Sequence, residues 1–281
     1  MTDYGLVSII TPSYNSAAFI AETIESILSQ TYTNWELLIT DDCSTDNTCT
    51  IIRDFIQKDN RIKLYKLEHN AGAGVARNKS IKEAKGRFLA FCDSDDCWYP
   101  NKLEKQLSFM IENEYAFTCT SYDCYNEENE KVGFVKCKKR ISYFSLLRDN
   151  SIGCLTSIYD TKNTGKVYMP TIRKRQDWGL WLSLIKKTKN VYGLQESLAK
   201  YRIRNNSISS NKISMLKYNF RLYKEVEKYS TITSFLLLTF CFLPYYFYKK
   251  AKQKNRQRRF FQLSYINDNL LSGRACGSLH N

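Results

Sequence analysis

Leu6–Gln30 reads LVSIITPSYNSAAFIAETIESILSQ, and Trp35–Thr40 follows with WELLIT. Two apolar, β-branched runs thus flank a segment whose Ile20, Ile24, Ile27 and Leu28 recur at helical spacing. The same strand–helix alternation continues outward. Asp46–Lys58 places Ile51, Ile52, Phe55 and Ile56 at helical spacing, Ile62–Leu67 reads as a third strand, and Gly74–Ala84 reads as a helix ended by Gly86. Phe88–Cys92 (FLAFC) is a fourth strand. Asn101–Asn113 carries Leu103, Leu107, Met110 and Ile111 on one helical face, and Phe117–Tyr122 is a fifth strand. Repeated βα units predict an α/β fold, a wound and mostly parallel sheet flanked by helices through right-handed crossovers. Ligands of such sheets bind beyond the carboxyl ends of the strands, where strand order reverses. From about residue 123 to 211 the pattern weakens to polar, hairpin-like stretches followed by a helix at Asp177–Lys187.

With 281 residues the chain can bury a large core, and 43% hydrophobic with 25% charged residues excludes wholesale disorder. The start, Met1-Thr2-Asp3-Tyr4, does not read as a signal peptide, and the ten cysteines form no CxxC pair. With only His69 and His280 to join them, they read as thiols of a reducing cytoplasm rather than a zinc site or disulfide framework. The net charge of +14 is unevenly spread: residues 212–281 carry 13 Lys and Arg against 3 Asp and Glu, the first 211 carry 29 against 25. Within that basic segment Thr231–Tyr248 (TITSFLLLTFCFLPYYFY) has no charge, and Lys249, Lys250, Lys252, Lys254, Arg256, Arg258 and Arg259 follow it. An apolar, aromatic-ended stretch beside a basic cluster suits the cytoplasmic face of a membrane. It is short for a span and contains Pro244, so an interfacial or re-entrant anchor is expected, with a spanning helix or a buried core helix as alternatives. No nucleic-acid partner is expected, because the basic run lacks interleaved aromatics and a binding motif. Residues 272–281 read as an unstructured tail.

The strand-following segments hold the candidate chemistry. Asp93-Ser94-Asp95-Asp96 puts three carboxylates in four positions. Such crowding raises carboxylate pKa values unless a cation intervenes, and hard oxygen donors suit Mg²⁺ or Mn²⁺ completed by water and substrate phosphate. The alternative is a solvated turn capping the next helix. Asp41-Asp42 ends the second strand, where a carboxylate can accept from a nucleobase imide or a ribose hydroxyl, or serve a cap with Ser44 or Asp46. Tyr14 can stack on a base or simply pack. Gly72–Arg77 (GAGVAR) is a poor dinucleotide fingerprint, but it can open a helix with Arg77 near a phosphate. Asp177 begins a helix, where an acidic residue also complements the helix dipole. Trp178 and Trp181 read as core, and Arg202 and Arg204 as either diphosphate ligands or surface residues.

Val7–Asn15 (VSIITPSYN), Ile27–Thr31 (ILSQT), Glu36–Thr48 (ELLITDDCSTDNT), Asn70–Asn78 (NAGAGVARN) and Gly86–Asp96 (GRFLAFCDSDD) together resemble bacterial family 2 glycosyltransferases of the GT-A fold. The resemblance runs in order over about residues 5–125 and resumes at Gln176–Trp181 (QDWGLW) and Tyr201–Ser207 (YRIRNNS). It is closest in character to members that build cell-surface polysaccharides, including the teichuronic-acid type.

The resemblance implies a GT-A catalytic region over 1–211, with a nucleotide-binding half to about 122 and an acceptor-side half from about 123. Residues 212–281 would be a membrane-associating appendage. It implies that Thr11, Pro12, Tyr14 and Asp42 line the nucleobase pocket, with Asp41 beside them and Arg77 near base or ribose. Asp93 and Ser94 would contact the nucleotide, Asp95 would bind the metal, Mn²⁺ or Mg²⁺, and Asp96 would shape the sugar pocket. Arg202 would reach the diphosphate.

Asp177 matches the second acid of the family's Glu-Asp pair and would be the catalytic base; Gln176 replaces the first acid. The processive Q-x-x-R-W motif is missing after Trp181, which implies transfer of one sugar per encounter. The expected reaction is inverting transfer from a UDP-sugar to a hydroxyl of a glycan or polyprenyl-diphosphate-linked acceptor. Two other classes compete. A non-catalytic binding subunit would follow if Gln176 disables the site. A sugar nucleotidyltransferase would need a glycine-rich basic loop where Pro12-Ser13-Tyr14-Asn15 stands.

Overall fold

The computed structural model describes residues 2–204 and 212–252. Asn205, Asn206 and Ser207 of the last motif, Lys254, Arg256, Arg258 and Arg259 of the basic cluster, and the 272–281 tail lie outside the described residues. Contacts divide the chain into two units, Met1–Ser230 and Thr231–Asn281.

In the first unit, β1 (Val7–Ser13), α1 (Ile20–Leu28), β2 (Trp35–Asp41), α2 (Thr48–Ile56), β3 (Ile62–Lys66), α3 (Ala73–Glu83) and β4 (Phe88–Phe91) follow the expected alternation. Next come β5 (Cys97–Trp98), α4 (Lys102–Glu112), β6 (Phe117–Tyr125), β7 (Lys131–Val135), β8 (Arg140–Ser142) and α5 (Tyr143–Arg148). The unit closes with β9 (Ile158–Asp160), α6 (Thr161–Thr164), α7 (Gln176–Thr188), β10 (Asn190–Arg202) and α8 (Lys212–Arg221).

One sheet carries the order β3-β2-β1-β4-β9-β6-β10-β5, with β7 on β6 and β8 on β10. Strands β1 to β4 are mutually parallel, β6 and β10 are parallel, and β9 is antiparallel to both β4 and β6. The sheet is therefore mixed but wound. Strand order reverses between β1 and β4, which puts the binding edge at the ends of β1, β2 and β4.

Burial explains the apolar runs. Every residue of β1, β2 and β4 is buried, as expected for parallel strands covered on both faces. Two charges lie in β2, Asp41 at its end and Glu36 within it; Ser8 Oγ and Lys85 N each donate to Glu36 at 2.7 Å, and Lys63 Nζ pairs with it at 2.7 Å. Helix α7 is fixed by its tryptophans. Trp181 packs 5.3 Å edge-on to Phe91 and 5.4 Å from Phe117, while Trp178 Nε1 donates to Leu146 O at 2.7 Å. Each such buried aromatic contributes roughly 1.5–3 kcal/mol.

Two features depart from expectation. β10 runs for 13 residues in a region where the sequence predicts no distinct strand; it pairs with β6 through register shifts around Ser197 that break its alternation. The division between units falls after Ser230 rather than after residue 211. Leu222 and Tyr223 are buried, Tyr223 OH donates to Leu147 O at 2.9 Å, and Lys186 pairs with buried Glu227 at 2.8 Å.

In the second unit, α9 (Thr231–Lys252) is one helix of 22 residues, long and apolar enough by length and composition to cross a membrane. Pro244 does not break it, and a π-helical turn at Leu237–Phe242 lies just ahead of the proline.

Candidate functional site

The end of β1 is tied to the loop after β2. Asn15 adopts a left-handed backbone (φ 45°), donates from N to Ser44 Oγ at 2.9 Å and accepts from Thr45 N at 2.8 Å. Tyr14, beside it, is half exposed and free to present its ring. Thr11 and Pro12 lie in the buried part of β1, and Thr11 Oγ1 is a buried hydroxyl with no partner.

Asp41 is buried and accepts from Ser44 N at 3.0 Å and from Ser44 Oγ, so it builds the turn. Asp42 accepts from Ala71 N at 2.7 Å and Gly72 N at 2.8 Å. It thereby anchors the loop that opens α3, where Gly72 sits at φ 94°, a conformation that favours glycine.

The acidic turn after β4 is charge-paired on both sides. Arg77, nearly buried on α3, pairs through Nη2 with Asp93 Oδ1 at 2.5 Å. Burial opposes its charge, but Asp93, with Cys154 and Asp177 further off, holds the guanidinium above its ordinary pKa. Arg204 Nη1 lies 3.1 Å from Asp95 Oδ2, and Arg202 Nε donates to Asp95 O at 3.2 Å. Arg202 also pairs with Glu22, and both guanidiniums lie about 5 Å from the Phe19 ring centre at the head of α1.

Burial raises Asp95, the neighbouring Asp93 adds to the rise, and Arg204 opposes it. Burial, then Asp95 and Asp93, push Asp96 well above the usual carboxylate range; it accepts from Arg202 N at 3.1 Å and so ties β10 to this turn. Ser94 is half-buried between them. Asp95 also borders a small opening with Glu22, Tyr125, Asn129, Lys200 and Tyr201.

Among the described residues no three His, Cys, Asp or Glu side chains form a ready-made metal site. The donor set at Asp93 and Asp95 is that of an ion completed by diphosphate and water, the usual habit of Mg²⁺ and Mn²⁺. Burial first, and then the neighbouring Asp93, disfavour the charged form of Asp95, which a divalent cation would favour.

The amino end of α7 faces the same edge. Gln176 packs its carboxamide on Gly74: a Cβ there would sit 2.4 Å from Gln176 Cδ, so a larger residue would force the Gln176 side chain to move. Asp177 Oδ2 accepts from Asn150 Nδ2 at 2.8 Å. Arg175, the preceding cap residue, holds a left-handed backbone (φ 65°). Burial lowers the pKa of its guanidinium, with Asp177 and Asp149 opposing. Cys154 links the two acidic groups: burial raises its thiol, Asp93 adds to this, Arg77 opposes it, and Asp177 and Asp96 contribute as well.

The strand-end residues named from sequence thus gather on one edge, with Asp177 at its border. Asp41 and Asp96 are engaged inside the protein, and Trp178 and Trp181 are core residues. Asn150, Arg175, Glu22 and the Gln176–Gly74 contact carry no sequence signal that pointed to them.

A wound mixed sheet with carboxylates gathered at the carboxyl ends of its central strands defines a GT-A-like fold. The chain matches the model of Glycosyl transferase family 2 over residues 8–167 and belongs to that family of glycosyltransferases. It is 45% identical over 241 residues to TuaG of Bacillus subtilis, described as a teichuronic acid biosynthesis glycosyltransferase, covering 85% of this chain and 94% of TuaG. It is 45% identical over 219 residues to WfgD of Escherichia coli, a UDP-Glc:alpha-D-GlcNAc-diphosphoundecaprenol beta-1,3-glucosyltransferase, covering 77% of this chain and 84% of WfgD. The mannosyltransferase PcManGT of Pyrobaculum calidifontis, solved with GDP-Man and Mn²⁺, shares the fold with a TM-score of 0.63 at 14% identity, over 99% of this chain and 77% of that one.

Proposed function

We propose that the enzyme transfers one sugar from a UDP-sugar, with inversion, to a hydroxyl of a polyprenyl-diphosphate-linked glycan at the cytoplasmic face of the membrane. The observation that carries this reading is the approach of the Gln176-Asp177 helix end to Gly74, on the edge that also holds Asp93, Asp95 and Arg77. The donor and acceptor named for WfgD support the choice of substrates.

In this reading residues 1–122 hold the nucleotide. Thr11, Pro12, Tyr14 and Asp42 surround the base, with Asp41 supporting the loop. Thr11 Oγ1, buried without a partner, is suited to a ligand hydrogen bond. Arg77, Asp93 and Ser94 border the ribose and diphosphate, Arg202 reinforces the phosphate end, and Asp96 shapes the sugar pocket. Residues 123–211 serve the acceptor. Mn²⁺ or Mg²⁺ held by Asp95 with Asp93 beside it would supply positive charge to the departing diphosphate.

Asp177, with Oδ2 held by Asn150, takes the acceptor hydroxyl proton on Oδ1. The hydroxyl oxygen bonds to the anomeric carbon as the carbon–phosphate oxygen bond breaks on the opposite face. Alignment of the two substrates supplies the remaining advantage. The exposed Ile232, Phe235, Phe240 and Phe247 of α9 support an interfacial or re-entrant contact of the second unit with the membrane. The test is sugar transfer from a panel of UDP-sugars with Mn²⁺ to an undecaprenyl-diphosphate-linked acceptor, with and without Asp95→Ala. Transfer that survives Asp95→Ala unchanged, with calorimetric UDP-sugar affinity indifferent to Mn²⁺, refutes the metal assignment.

A further inference from the structure

The catalytic unit carries an apolar and basic surface of its own on the β6–β7 hairpin. Residues 131–140 read KVGFVKCKKR, with five Lys and Arg and no Asp or Glu. β7 pairs only with β6 among the described strands, so its outer edge faces away from the sheet. Val132 is 54% exposed and Phe134 51%, and Val135 is also exposed. Phe144, a few residues on, is 73% exposed. Lys136, Lys139 and Arg140 are exposed alongside them. Large exposed apolar side chains along one strand and the segment after it mark a contact surface.

The charge selects the partner. Lys131 is taken up by Asp123, and the exposed Glu127, Glu128 and Glu130 lie on the hairpin turn before β7, so the cations that rim the apolar side chains are Lys136, Lys139 and Arg140 beyond the strand. Apolar side chains rimmed in this way complement an anionic lipid surface, into which aromatic and branched side chains insert while lysines meet headgroups. The turn of the same hairpin contributes Asn129, and β6 contributes Tyr125, to the opening that Asp95 borders.

We infer that β7 and the following basic segment dock the catalytic unit onto an anionic membrane surface, so that the opening beside Asp95 lies near the bilayer. This contact belongs to the first unit and is additional to any made by α9. It deepens the proposed function, on which it rests only for the identity of the opening.

The four native tryptophans are buried, so a tryptophan placed at position 134 reports alone on this surface. The full-length Phe134→Trp variant is mixed with vesicles of brominated phosphatidylcholine containing about 30% phosphatidylglycerol, and with vesicles of brominated phosphatidylcholine alone. Strong quenching is expected in the anionic vesicles and little in the neutral ones. Adding Lys136→Glu and Lys139→Glu is expected to weaken the quenching about tenfold in lipid concentration, while UDP-sugar turnover in detergent stays unchanged.

An unquenched variant that still sediments with the anionic vesicles overturns the inference and leaves α9 as the lipid contact. Quenching equal in both vesicles and indifferent to the charge reversals overturns it too. A dimer in lipid-free buffer that Phe134→Asp dissociates, without quenching by vesicles, assigns the strand to a second copy instead. None of these outcomes depends on turnover, so failure of the docking surface and failure of the catalytic reading are separable.

Discussion

The β1–β4 half of the sheet and the half around β6 and β10 hold their edge carboxylates in different ways. In the first, Asp41 and Asp42 have their carboxylate oxygens taken up by backbone N–H groups and a hydroxyl of the adjoining loops, Asp41 by a residue three positions on. In the second, Asp177 is held by one side chain from an irregular segment, and Asn150 Oδ1, Ser151 Oγ and Arg175 Nε are buried without partners around it. Buried polar atoms without partners are uncommon, and Arg175 adds a left-handed backbone to them. One half is pre-built by its own loops. The other is assembled by packing; both halves leave buried polar atoms unpartnered, Thr11 Oγ1 and Arg77 Nε being those of the first.

The contrast makes Asp177 the most sensitive point. Asp177→Asn is expected to cut kcat by about 10²–10⁴-fold while calorimetric UDP-sugar affinity is retained. A variant with wild-type turnover would erase the distinction between the halves. Gly74→Ala tests the seam between them. Its methyl would meet Gln176 at 2.4 Å, so a loss of about 1–3 kcal/mol in denaturant stability and a drop in turnover are expected. Gly74→Ala combined with Gln176→Ala should restore most of the stability.

Asn150→Ala sharpens the comparison further. Removing the donor to Asp177 is expected to lower kcat about tenfold, with KM for the donor unchanged. An unchanged kcat would reduce Asn150 to a packing residue.

A last effect concerns stability alone. Lys102 is buried, with Nζ 2.8 Å from Gln106 Oε1 and 4.2 Å from the Trp98 ring centre, and burial lowers its pKa to about 7. The unfolded chain then binds the extra proton between about pH 7 and 10.5, so this residue makes stability rise with pH across that window and penalises the fold below it. Lys102→Met is expected to raise Tm at pH 6 and to lose that advantage as pH approaches 10; thermal unfolding at both pH values checks the sign.

Legibility followed range along the chain. The strands from β1 to β4 were readable because each is a continuous buried run bounded by turn residues, and the acidic turns were readable because they follow those runs directly. β10 escaped notice because its polar Gln195, Glu196 and Ser197 sit at register shifts, where alternation fails. Asn150 escaped because its value lies in a partner 27 residues away.

The amino-acid sequence alone determined the order of strands and helices, the placing of carboxylates at strand ends and the concentration of basic charge after residue 211, since these depend on local periodicity and composition. Only the tertiary structure decided that β9 enters the sheet antiparallel and that Arg204 reaches Asp95 across 109 positions. It also decided that Gln176 rests on Gly74 and that the surface of β7 stands exposed beside the Asp95 opening. Those outcomes are set by which surfaces fit when distant segments pack, and no local pattern encodes a fit between segments so far apart.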